Sequence, residues 1–475
     1  MLEVTSLKDR TNSNDTAAIP VAIIGAGLRL PGGIKTLDAL WSFLASGGDA
    51  IRDLPEGRWT ADLYDPSRTR PGTTYVRRGG YIEGLDLIDT EFFGLSAREA
   101  SRIDPQQRLL LETSYEAIES AGLPLTALSR RRVGVFVGIS SNDYVQLQNR
   151  DPRGHNAYSN TGGAFSIAAN RISYAFDLRG PSMAIDTACS SGLTALDQAV
   201  KAIQSGSCEN AIVGAANALL IPEVYVGFCA ASMLSPVGQC RAFDADGAGF
   251  VRAEGAVSFV IKPLEAALHD EDPILGVIRA SDSNNDGRTA GLSLPSSEAQ
   301  VELLERIYRD GRVEVDNIVY VEAHGTGTVA GDPLEAAAIG RAIATRRRND
   351  DRLLIGSIKS NIGHLEPASG LAGLAKALVI LDRGAIPPSL HFDKPNPKID
   401  FEGLRLRVST AVTPVPLNTR RPMIGINSFG FGGSNTHVVV ERAPQRLLQM
   451  SQKAGNPWFL ISARSSAALS ASAFA

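Results

Sequence analysis

The feature that most constrains the fold of this chain is an alternation of short apolar runs with segments of helical periodicity, which begins near residue 104. PQQRLLLETSYEAIESAG (residues 105–122) and LTALDQAVKAIQSG (193–206) place apolar residues on one helical face and end at a glycine. Apolar runs typical of buried strands are VGVFVGIS, ENAIVGAAN, GAVSFVIK, NIVYVEAHG, LLIGSIKSNIG, PMIGINSFGFGG and THVVVE. A further helix is predicted over SGLAGLAKALVIL. Strands that alternate with helices predict an α/β fold in which helices cover sheets.

The first ordered segment, VAIIGAGLRLPGG (residues 21–33), has the look of a dinucleotide-binding loop. Val21 to Ile24 predict a buried strand, and the glycines after it predict a turn. The third glycine of the G-x-G-x-x-G pattern would fall on Leu30, however, and a Pro-Gly-Gly sequence interrupts the helix that should follow. A dinucleotide cofactor is therefore not indicated.

The charge and cysteine content exclude several classes of protein. A net charge of −4 argues against a nucleic-acid binder. The basic runs Arg130–Arg132 and Arg346–Arg348 are typical of solvated surface, with a landing site for an acidic partner as the alternative. Four cysteines without a C-x-x-C pair fit a reducing compartment, so we expect a cytoplasmic protein. The sequence contains no apolar run of about 18 residues, so no membrane-spanning helix is predicted.

The segment IDTACSSG (residues 185–192) raises the first chemical question, because it places Cys189 at the start of a predicted helix. A helix N-terminus lowers the pKa of a thiol and offers backbone N–H groups to an oxyanion. Free cysteine is equally well known as a small buried residue. From this segment alone, a nucleophile and an inert core residue are both open.

Two of the six histidines follow apolar strands in glycine-rich segments, VEAHGTGT and KSNIGHLEPASG. His324 and His364 thus lie where α/β enzymes place catalytic groups, at the ends of strands. Thr326 and Thr328 offer hydroxyls for a polar tether. Cysteine and two histidines suit zinc, but no fourth ligand has suitable spacing, so no metal site is predicted. The other histidines, His155, His269, His391 and His437, are interpreted as structural or exposed.

A glycine-rich segment near the end of the chain, NSFGFGGSNTH, adds a further loop. Gly430, Gly432 and Gly433 permit close approach of the backbone to a ligand. Phe429 and Phe431 suit an apolar tunnel, and a backbone N–H there suits an oxyanion hole; a tight β-turn near the core is the alternative.

Lys359, just before His364, is either a solvated charge or a pocket cation. In a pocket it would need a carboxylate partner, for which Glu335 in GDPLE is a candidate.

Four of these segments, DTACSS, EAHGTGT, KSNIGH and NSFGFGGSNTH, occur in an order that resembles the β-ketoacyl synthase family, most closely the ketosynthase domain of type I polyketide synthases, modular or iterative. RIDPQQRLLLE, FVGIS and GDPLEAAAIG are similar to that family too. The resemblance covers roughly residues 19–443. It implies a thiolase-like fold with two related halves, roughly 19–265 and 266–443, in α-β-α-β-α layers.

The resemblance also implies roles for the site residues. Cys189 would receive an acyl chain from the phosphopantetheine arm of an acyl carrier protein, and no cofactor would be bound directly. His324 and His364 would assist decarboxylation of a malonyl-type extender and stabilise its enolate, with Lys359, supported by Glu335, orienting the site. The backbone N–H groups of Cys189 and Phe431 would form the oxyanion hole. Contacts with substrate or pantetheine are expected from Thr326, Thr328, Phe429 and Gly432.

The expected reaction is a decarboxylative Claisen condensation by a homodimeric acyltransferase. Alternatives are a ketosynthase of fatty-acid synthesis, a non-elongating acyl-transfer or gatekeeping domain, and a purely structural dimerisation module. Residues 1–18 are expected to be a disordered lead. Residues 444–475 resemble the start of a linker to an acyltransferase domain. Neither nucleic acid nor a membrane is an expected partner.

Overall fold

The structure is a computed structural model of the chain. It describes residues 19–59, 61–309, 313–348, 351–416, 419–444, 465–466 and 468–470. The disordered lead expected over residues 1–18, and nearly all of the linker expected over 444–475, lie outside the described residues.

The first half of the chain supplies seven strands and ten helices in the described part. The strands are β1 Val21–Arg29, β2 Ile51–Asp53, β3 Arg78–Gly80, β4 Val133–Gly138, β5 Ser182–Ile185, β6 Asn210–Asn217 and β7 Gly255–Pro263. The helices are α1 Leu37–Ala45, α2 Ala97–Ala100, α3 Pro105–Ser120, α4 Leu125–Leu128, α5 Asp143–Asn149, α6 Ser159–Gly163, α7 Phe165–Phe176, α8 Ser191–Gln204, α9 Glu223–Ala230 and α10 Leu264–His269.

The second half supplies the remaining described elements. The strands are β8 Gly276–Asn285, β9 Ile318–Glu322, β10 Leu353–Gly356, β11 Ala385–Ile386, β12 Leu406–Val408, β13 Thr413–Pro414, β14 Met423–Phe429 and β15 Ser434–Arg442. The helices are α11 Ser297–Arg309, α12 Gly331–Ala342, α13 Lys359–Ile362 and α14 Ser369–Arg383.

Among the described residues, eleven strands join in the order β12-β10-β9-β14-β15-β8-β1-β7-β6-β4-β5. The two halves repeat one pattern. β1 pairs antiparallel with β7, β7 antiparallel with β6, and β4 and β5 continue in parallel. β8, β15, β14, β9 and β10 repeat these relations in the second half. The expectation of an α/β fold with two related halves is therefore confirmed.

Helices α8 and α14 pack against each other between the two half-sheets. Every residue of α14 from Ser369 to Leu381 is buried, as a helix between two sheets requires. Helix α3 lies against β1 and β7 on one outer face, while α11 packs on α12 and β8 on the other. The layers therefore run α-β-α-β-α, and the strands that precede α8 and α14 end near one another at the centre of the molecule.

The prediction that glycines end the first strand in a turn is wrong. Gly25 and Gly27 lie inside β1, which continues to Arg29. A Cβ at Gly25 would lie 2.0 Å from the carbonyl oxygen of Ala117, and one at Gly27 would lie 2.1 Å from that of Thr113. These glycines let helix α3 approach the strand closely and do not form a loop for a phosphate.

The basic runs lie at the amino ends of the parallel strands, away from the ends that carry Cys189 and His364. Arg130 pairs with Asp177, while Arg131 and Arg132 both reach Glu209. These ion pairs are exposed, in agreement with the interpretation of Arg130–Arg132 as solvated surface. Among the described residues, none of the helices combines the length and the apolar character that a membrane span requires.

Candidate active site

Cys189 lies in a short 3-10 turn, residues 188–190, between the end of β5 and the start of α8. The preceding residue, Ala188, has a φ of 55°, in the left-handed region that residues with a Cβ avoid. The Asp186 carboxylate accepts the Ala188 N–H at 2.9 Å and so supports this turn. Such strain persists only where surrounding contacts impose it, and it commonly marks a functional turn.

The hairpin turn between β14 and β15 presses against this cysteine turn. A Cβ at Gly430 would lie 2.3 Å from the carbonyl oxygen of Thr187, so only glycine allows this approach. The Ser428 hydroxyl donates to the Cys189 carbonyl at 2.8 Å. The backbone N–H groups of Phe431 and of Cys189 itself both face the Cys189 thiol. Two backbone donors are therefore directed at the sulfur, an arrangement that can stabilise an oxyanion.

His324 follows β9 directly, and its backbone is fixed by a carboxylate. Glu335, at the start of α12, accepts the N–H of His324 at 2.7 Å and that of Gly325 at 2.8 Å. The imidazole Nδ1 accepts the Phe429 N–H at 3.4 Å. Because Nδ1 is an acceptor, the proton of the neutral ring is assigned to Nε2.

His364 follows β10 after the one-turn helix α13, and its imidazole is held in the same tautomer. Its Nδ1 lies 3.0 Å from the Glu366 backbone N–H and 2.6 Å from the Ser369 hydroxyl. The rings of His364 and His324 meet edge to face, with centroids 5.5 Å apart and an interplanar angle of 82°. Two imidazoles thus offer an Nε2–H at one centre.

Burial sets the protonation of this centre. It lowers the pKa of both His324 and His364 well below the ordinary value, and the nearby Lys359 cation lowers both further. Both rings are therefore neutral at physiological pH. Burial also raises the pKa of the Cys189 thiol to about 12, assisted by the Glu366 carboxylate and opposed by Lys359 and the two backbone N–H groups. The lowering of this pKa expected from the helix start is therefore outweighed by desolvation.

Lys359 is buried at the start of α13, and burial lowers the pKa of its ammonium group. The direct Lys359–Glu335 pair expected from the sequence is not formed among the described residues. The Glu335 carboxylate is occupied by the His324 and Gly325 N–H groups and by the Asn427 side-chain amide at 2.8 Å. Glu335 and Glu322 act on Lys359 only through their charge, which favours the ammonium form.

Most of these groups face one cavity of about 340 Å³, but Lys359 does not line it. Predicted site residues that line it are Cys189, His324, His364, Thr326, Thr328, Phe429, Phe431 and Glu335. Gly432 does not line it, because it lies exposed at the outer tip of the hairpin turn, where an added Cβ would meet open space. The Thr326 and Thr328 hydroxyls lie 3.1 Å apart on one wall.

Sequence reasoning missed two supports of the site. Asp332, two residues into α12, accepts the N–H groups of Phe243 at 2.6 Å and Gly327 at 3.1 Å, which holds the threonine loop. Asn427 in β14 joins Glu335 to the buried His437. Both lie inside quoted motifs, GDPLE and NSFGFGG, but their contacts come from distant segments. His437 is structural as expected: burial lowers its pKa to about 3.

A half-buried cysteine at a strand-to-helix turn, two backbone donors beside its thiol and two neutral imidazoles in a layered α-β-α-β-α fold define an acyl-transferring condensing enzyme of the thiolase-like class. Family models extend this to a particular family. "Beta-ketoacyl synthase, N-terminal domain" matches residues 18–267, "Beta-ketoacyl synthase, C-terminal domain" matches 275–393, and "Ketoacyl-synthetase C-terminal extension" matches 395–474. The chain belongs to the β-ketoacyl synthase family.

Similar proteins are polyketide synthases. The chain is 44% identical over 427 residues, 90% of its length, to one component of the phenolphthiocerol/phthiocerol polyketide synthase of Mycobacterium tuberculosis. It is also 44% identical over 444 residues, 93% of its length, to a highly reducing polyketide synthase of Penicillium oxalicum. The chain spans 23% and 17% of these two relatives, respectively.

Solved structures of ketosynthases share the fold. The ketosynthase from module 6 of the bacillaene synthase of Bacillus subtilis is 37% identical, with a TM-score of 0.83, over 90% of this chain and 72% of that one. An oxazolomycin ketosynthase domain of Streptomyces albus gives 37% identity and a TM-score of 0.85, over 90% of this chain and 76% of that one. The chain is accordingly a ketosynthase domain, an acyltransferase whose reaction is a Claisen condensation.

Proposed function

We propose that this domain elongates polyketide chains by decarboxylative condensation of an acyl group on Cys189 with a malonyl-type extender on an acyl carrier protein. The observation that carries the proposal is the pair of neutral imidazoles, His324 and His364, whose Nδ1 atoms both accept backbone N–H groups beside the thiol. A thiol suits exchange of thioesters, and imidazole N–H groups suit an enolate oxygen.

The first step transfers the acyl group to the enzyme. The sulfur of Cys189 attacks the carbonyl of the carrier-bound thioester, a new carbon–sulfur bond forms, and the phosphopantetheine thiol leaves with the proton that Cys189 gives up. The backbone N–H groups of Cys189 and Phe431 hold the oxyanion of the tetrahedral intermediate. Because the free thiol has a high pKa, proton transfer accompanies attack and no free thiolate accumulates.

The second step joins the extender to the chain. Carbon dioxide leaves the extender, and the electron pair of the broken carbon–carbon bond forms an enolate whose oxygen accepts hydrogen bonds from His324 and His364 at Nε2. The enolate carbon attacks the Cys189 thioester, the cysteine sulfur leaves, and it regains a proton from water. The product is a β-ketoacyl thioester on the carrier. Neutral rings suit this role because they donate hydrogen bonds without first needing a proton.

The walls of the cavity suit a tethered substrate. The Thr326 and Thr328 hydroxyls hold the phosphopantetheine arm, and Phe429 lines the path to the thiol. Phe431 and Val329 leave 49% and 55% of their surface exposed at the mouth, where a carrier domain delivers its arm. Lys359 adds positive charge near the histidines, and Glu335 fixes the His324 backbone.

The proposal includes partners beyond the carrier. A second copy of the chain pairs with the free edge of β5, the end strand of the sheet. Met183 on this strand and Tyr174 on α7 leave 41% and 88% of their surface exposed, which suits a covered face. Residues 444–475 lead to an acyltransferase domain in the same polypeptide, and the protein acts in the cytoplasm.

Light scattering tests the dimer by measuring the masses of the wild type and of Met183→Lys. A wild-type chain with the mass of a monomer would contradict the proposed dimer.

Mass spectrometry of single turnovers tests the function. Cys189 is loaded with a short acyl thioester, malonyl-carrier protein is added, and the β-ketoacyl product is sought on the carrier. Product formation is expected. Acylation without condensation would favour a gatekeeping domain, and a folded protein that does not acylate would favour a structural module. A fatty-acid context is distinguished by comparing turnover of saturated and of oxygenated or branched acyl groups.

A further inference from the structure

Arg252 is one of the largest fully buried side chains in the described structure, with 1% of its surface exposed. Its guanidinium forms a two-pronged contact with the Glu366 carboxylate, through Nε at 2.5 Å and Nη2 at 3.0 Å. The rings of Tyr225 and Phe228 flank the guanidinium at 4.7 and 5.5 Å. Neither Arg252 nor Glu366 lines the reaction cavity with the thiol, and no step proposed above uses either side chain. A buried ion pair is costly to desolvate, so it needs an explanation beyond stability.

The backbone of Arg252 runs alongside that of His364. The two residues form a parallel bridge, in which the His364 N–H donates to the Val251 carbonyl at 2.7 Å and the Ala253 N–H donates to the His364 carbonyl at 2.8 Å. The main chain of the histidine is thereby fixed on the segment that carries the arginine. Rotation of its imidazole is controlled separately, by the groups that bind Nδ1.

One of those groups belongs to a strained residue. Glu366 donates its backbone N–H to His364 Nδ1 at 3.0 Å, and it does so with a φ of 49°. A residue with a Cβ avoids this left-handed region. Glu366 also precedes Pro367, and a following proline biases a residue towards extended conformations. Two steric preferences therefore oppose the turn that aims this N–H at the imidazole.

We infer that Arg252 is a positioning residue for His364, because it clamps the Glu366 carboxylate and so holds the left-handed turn whose N–H keeps the imidazole proton on Nε2. This inference rests on the function proposed above, and it assigns a part to a pair outside the reaction cavity. The pair acts on the site through its turn, which fixes the tautomer that faces the enolate oxygen.

A glycine rescue separates this role from simple packing. Arg252→Met removes the clamp and leaves the Glu366 carboxylate unpaired. Arg252→Met/Glu366→Gln removes the unpaired charge but keeps a side chain that resists the left-handed turn. Arg252→Met/Glu366→Gly also removes the charge, and glycine adopts a positive φ without a clamp. The two double variants therefore differ in backbone preference and match in charge.

The rates of Cys189 acylation and of condensation are measured for each variant. Arg252→Met and the glutamine double variant are expected to lose condensation by about tenfold or more, while acylation changes by about twofold or less. The glycine double variant is expected to recover most of the lost condensation rate. Equal rates for the two double variants would overturn the inference, as would parallel losses of acylation and condensation in Arg252→Met. Should Arg252→Met fail to fold, Arg252→Gln replaces it in all three proteins.

A spectroscopic measurement keeps the inference independent of turnover. In chains labelled with ¹⁵N-histidine, the His364 signal, assigned with His364→Gln, reports which ring nitrogen carries the proton. The Nε2–H tautomer is expected in the wild type and the glycine double variant, and a mixture is expected in Arg252→Met. An unchanged tautomer in Arg252→Met would overturn the inference. A wild type that shows the expected tautomer but does not condense would overturn the proposed function instead.

Discussion

The imidazoles of His324 and His364 meet edge to face 5.5 Å apart, and each accepts a backbone N–H at Nδ1. The donors come from different places, Phe429 at the end of β14 and Glu366 beside α14. Both rings are thereby set in one tautomer by backbone donors. The centre is prepared to donate two hydrogen bonds to one oxygen.

Replacing either ring separates the two proposed steps. His324→Ala is expected to lower the condensation rate by about a hundredfold or more, because the enolate loses a donor, while acylation of Cys189 stays detectable. Quenched-flow mass spectrometry of both thioesters measures the two rates. His269→Ala, on an exposed part of α10, is the matched control and is expected to leave both unchanged. Equal loss of acylation and condensation in His324→Ala would contradict the division of roles.

The sequence predicted much of the fold because the relevant signals are local. The strands β4, β6, β7, β9, β14 and β15 and the helices α3, α8 and α14 coincide with the runs that indicated them. β8 was not indicated, because its second half, Ser281–Asn285, is polar and only partly buried. The positions of Cys189, His324 and His364 followed from strand ends. The thiol pKa and the contacts of Glu335 did not, because both depend on groups that the fold brings from afar.

Glu335 offers a direct test of the His324 anchor. Glu335→Gln leaves a carboxamide whose NH₂ group faces backbone N–H donors, so one donor loses its acceptor. The free energy of unfolding is expected to fall by about 1–3 kcal/mol, and the condensation rate is expected to fall with it. Urea unfolding and turnover measure both. Glu298→Gln, exposed on α11, is the control; a variant at Glu335 as stable as this control would contradict the anchoring role.

Gly430 tests the approach of the hairpin turn to the cysteine turn. Gly430→Ala would place a Cβ 2.3 Å from the Thr187 carbonyl oxygen, so the turn must move away from Cys189. The acylation rate is expected to fall by about tenfold or more, because the Phe431 N–H leaves the oxyanion position. Gly432→Ala is the matched control, since its Cβ meets nothing within 4 Å. Similar acylation rates in the two variants would contradict the proposed oxyanion hole.

The raised pKa of Asp332 leads us to expect that the stability of the folded chain depends on pH. Burial raises its pKa to about 7, although the N–H groups of Phe243, Gly327 and Thr328 favour the carboxylate. Between about pH 4 and pH 7 the folded chain therefore holds a proton that the unfolded chain releases. The contribution of this group to the free energy of unfolding falls as pH rises through that window, by about 1.4 kcal/mol per pH unit at most.

Asp332→Asn removes this titration. Its free energy of unfolding, measured with urea from pH 4.5 to 7.5, is subtracted from that of the wild type at each pH. The free energy of unfolding of the wild type minus that of Asp332→Asn is expected to decrease as pH rises. Any cost of the asparagine that does not depend on pH shifts this difference by a constant and leaves its trend unchanged. A difference that does not change with pH would show that Asp332 is already ionised at pH 4.5 in the folded chain.

The raised pKa of the Cys189 thiol leads us to expect an unusual dependence of its alkylation rate on pH. Because burial raises its pKa to about 12, little thiolate exists at neutral pH, and the thiolate is the form that reacts with iodoacetamide. The alkylation rate is expected to rise about tenfold per pH unit from pH 7 to pH 10 without levelling off. Peptide mass spectrometry follows Cys189 itself, and Cys189→Ala gives the background from the buried Cys208, Cys229 and Cys240. A plateau near pH 8 would show that the helix start and Lys359 outweigh desolvation, and that acyl transfer begins from a preformed thiolate.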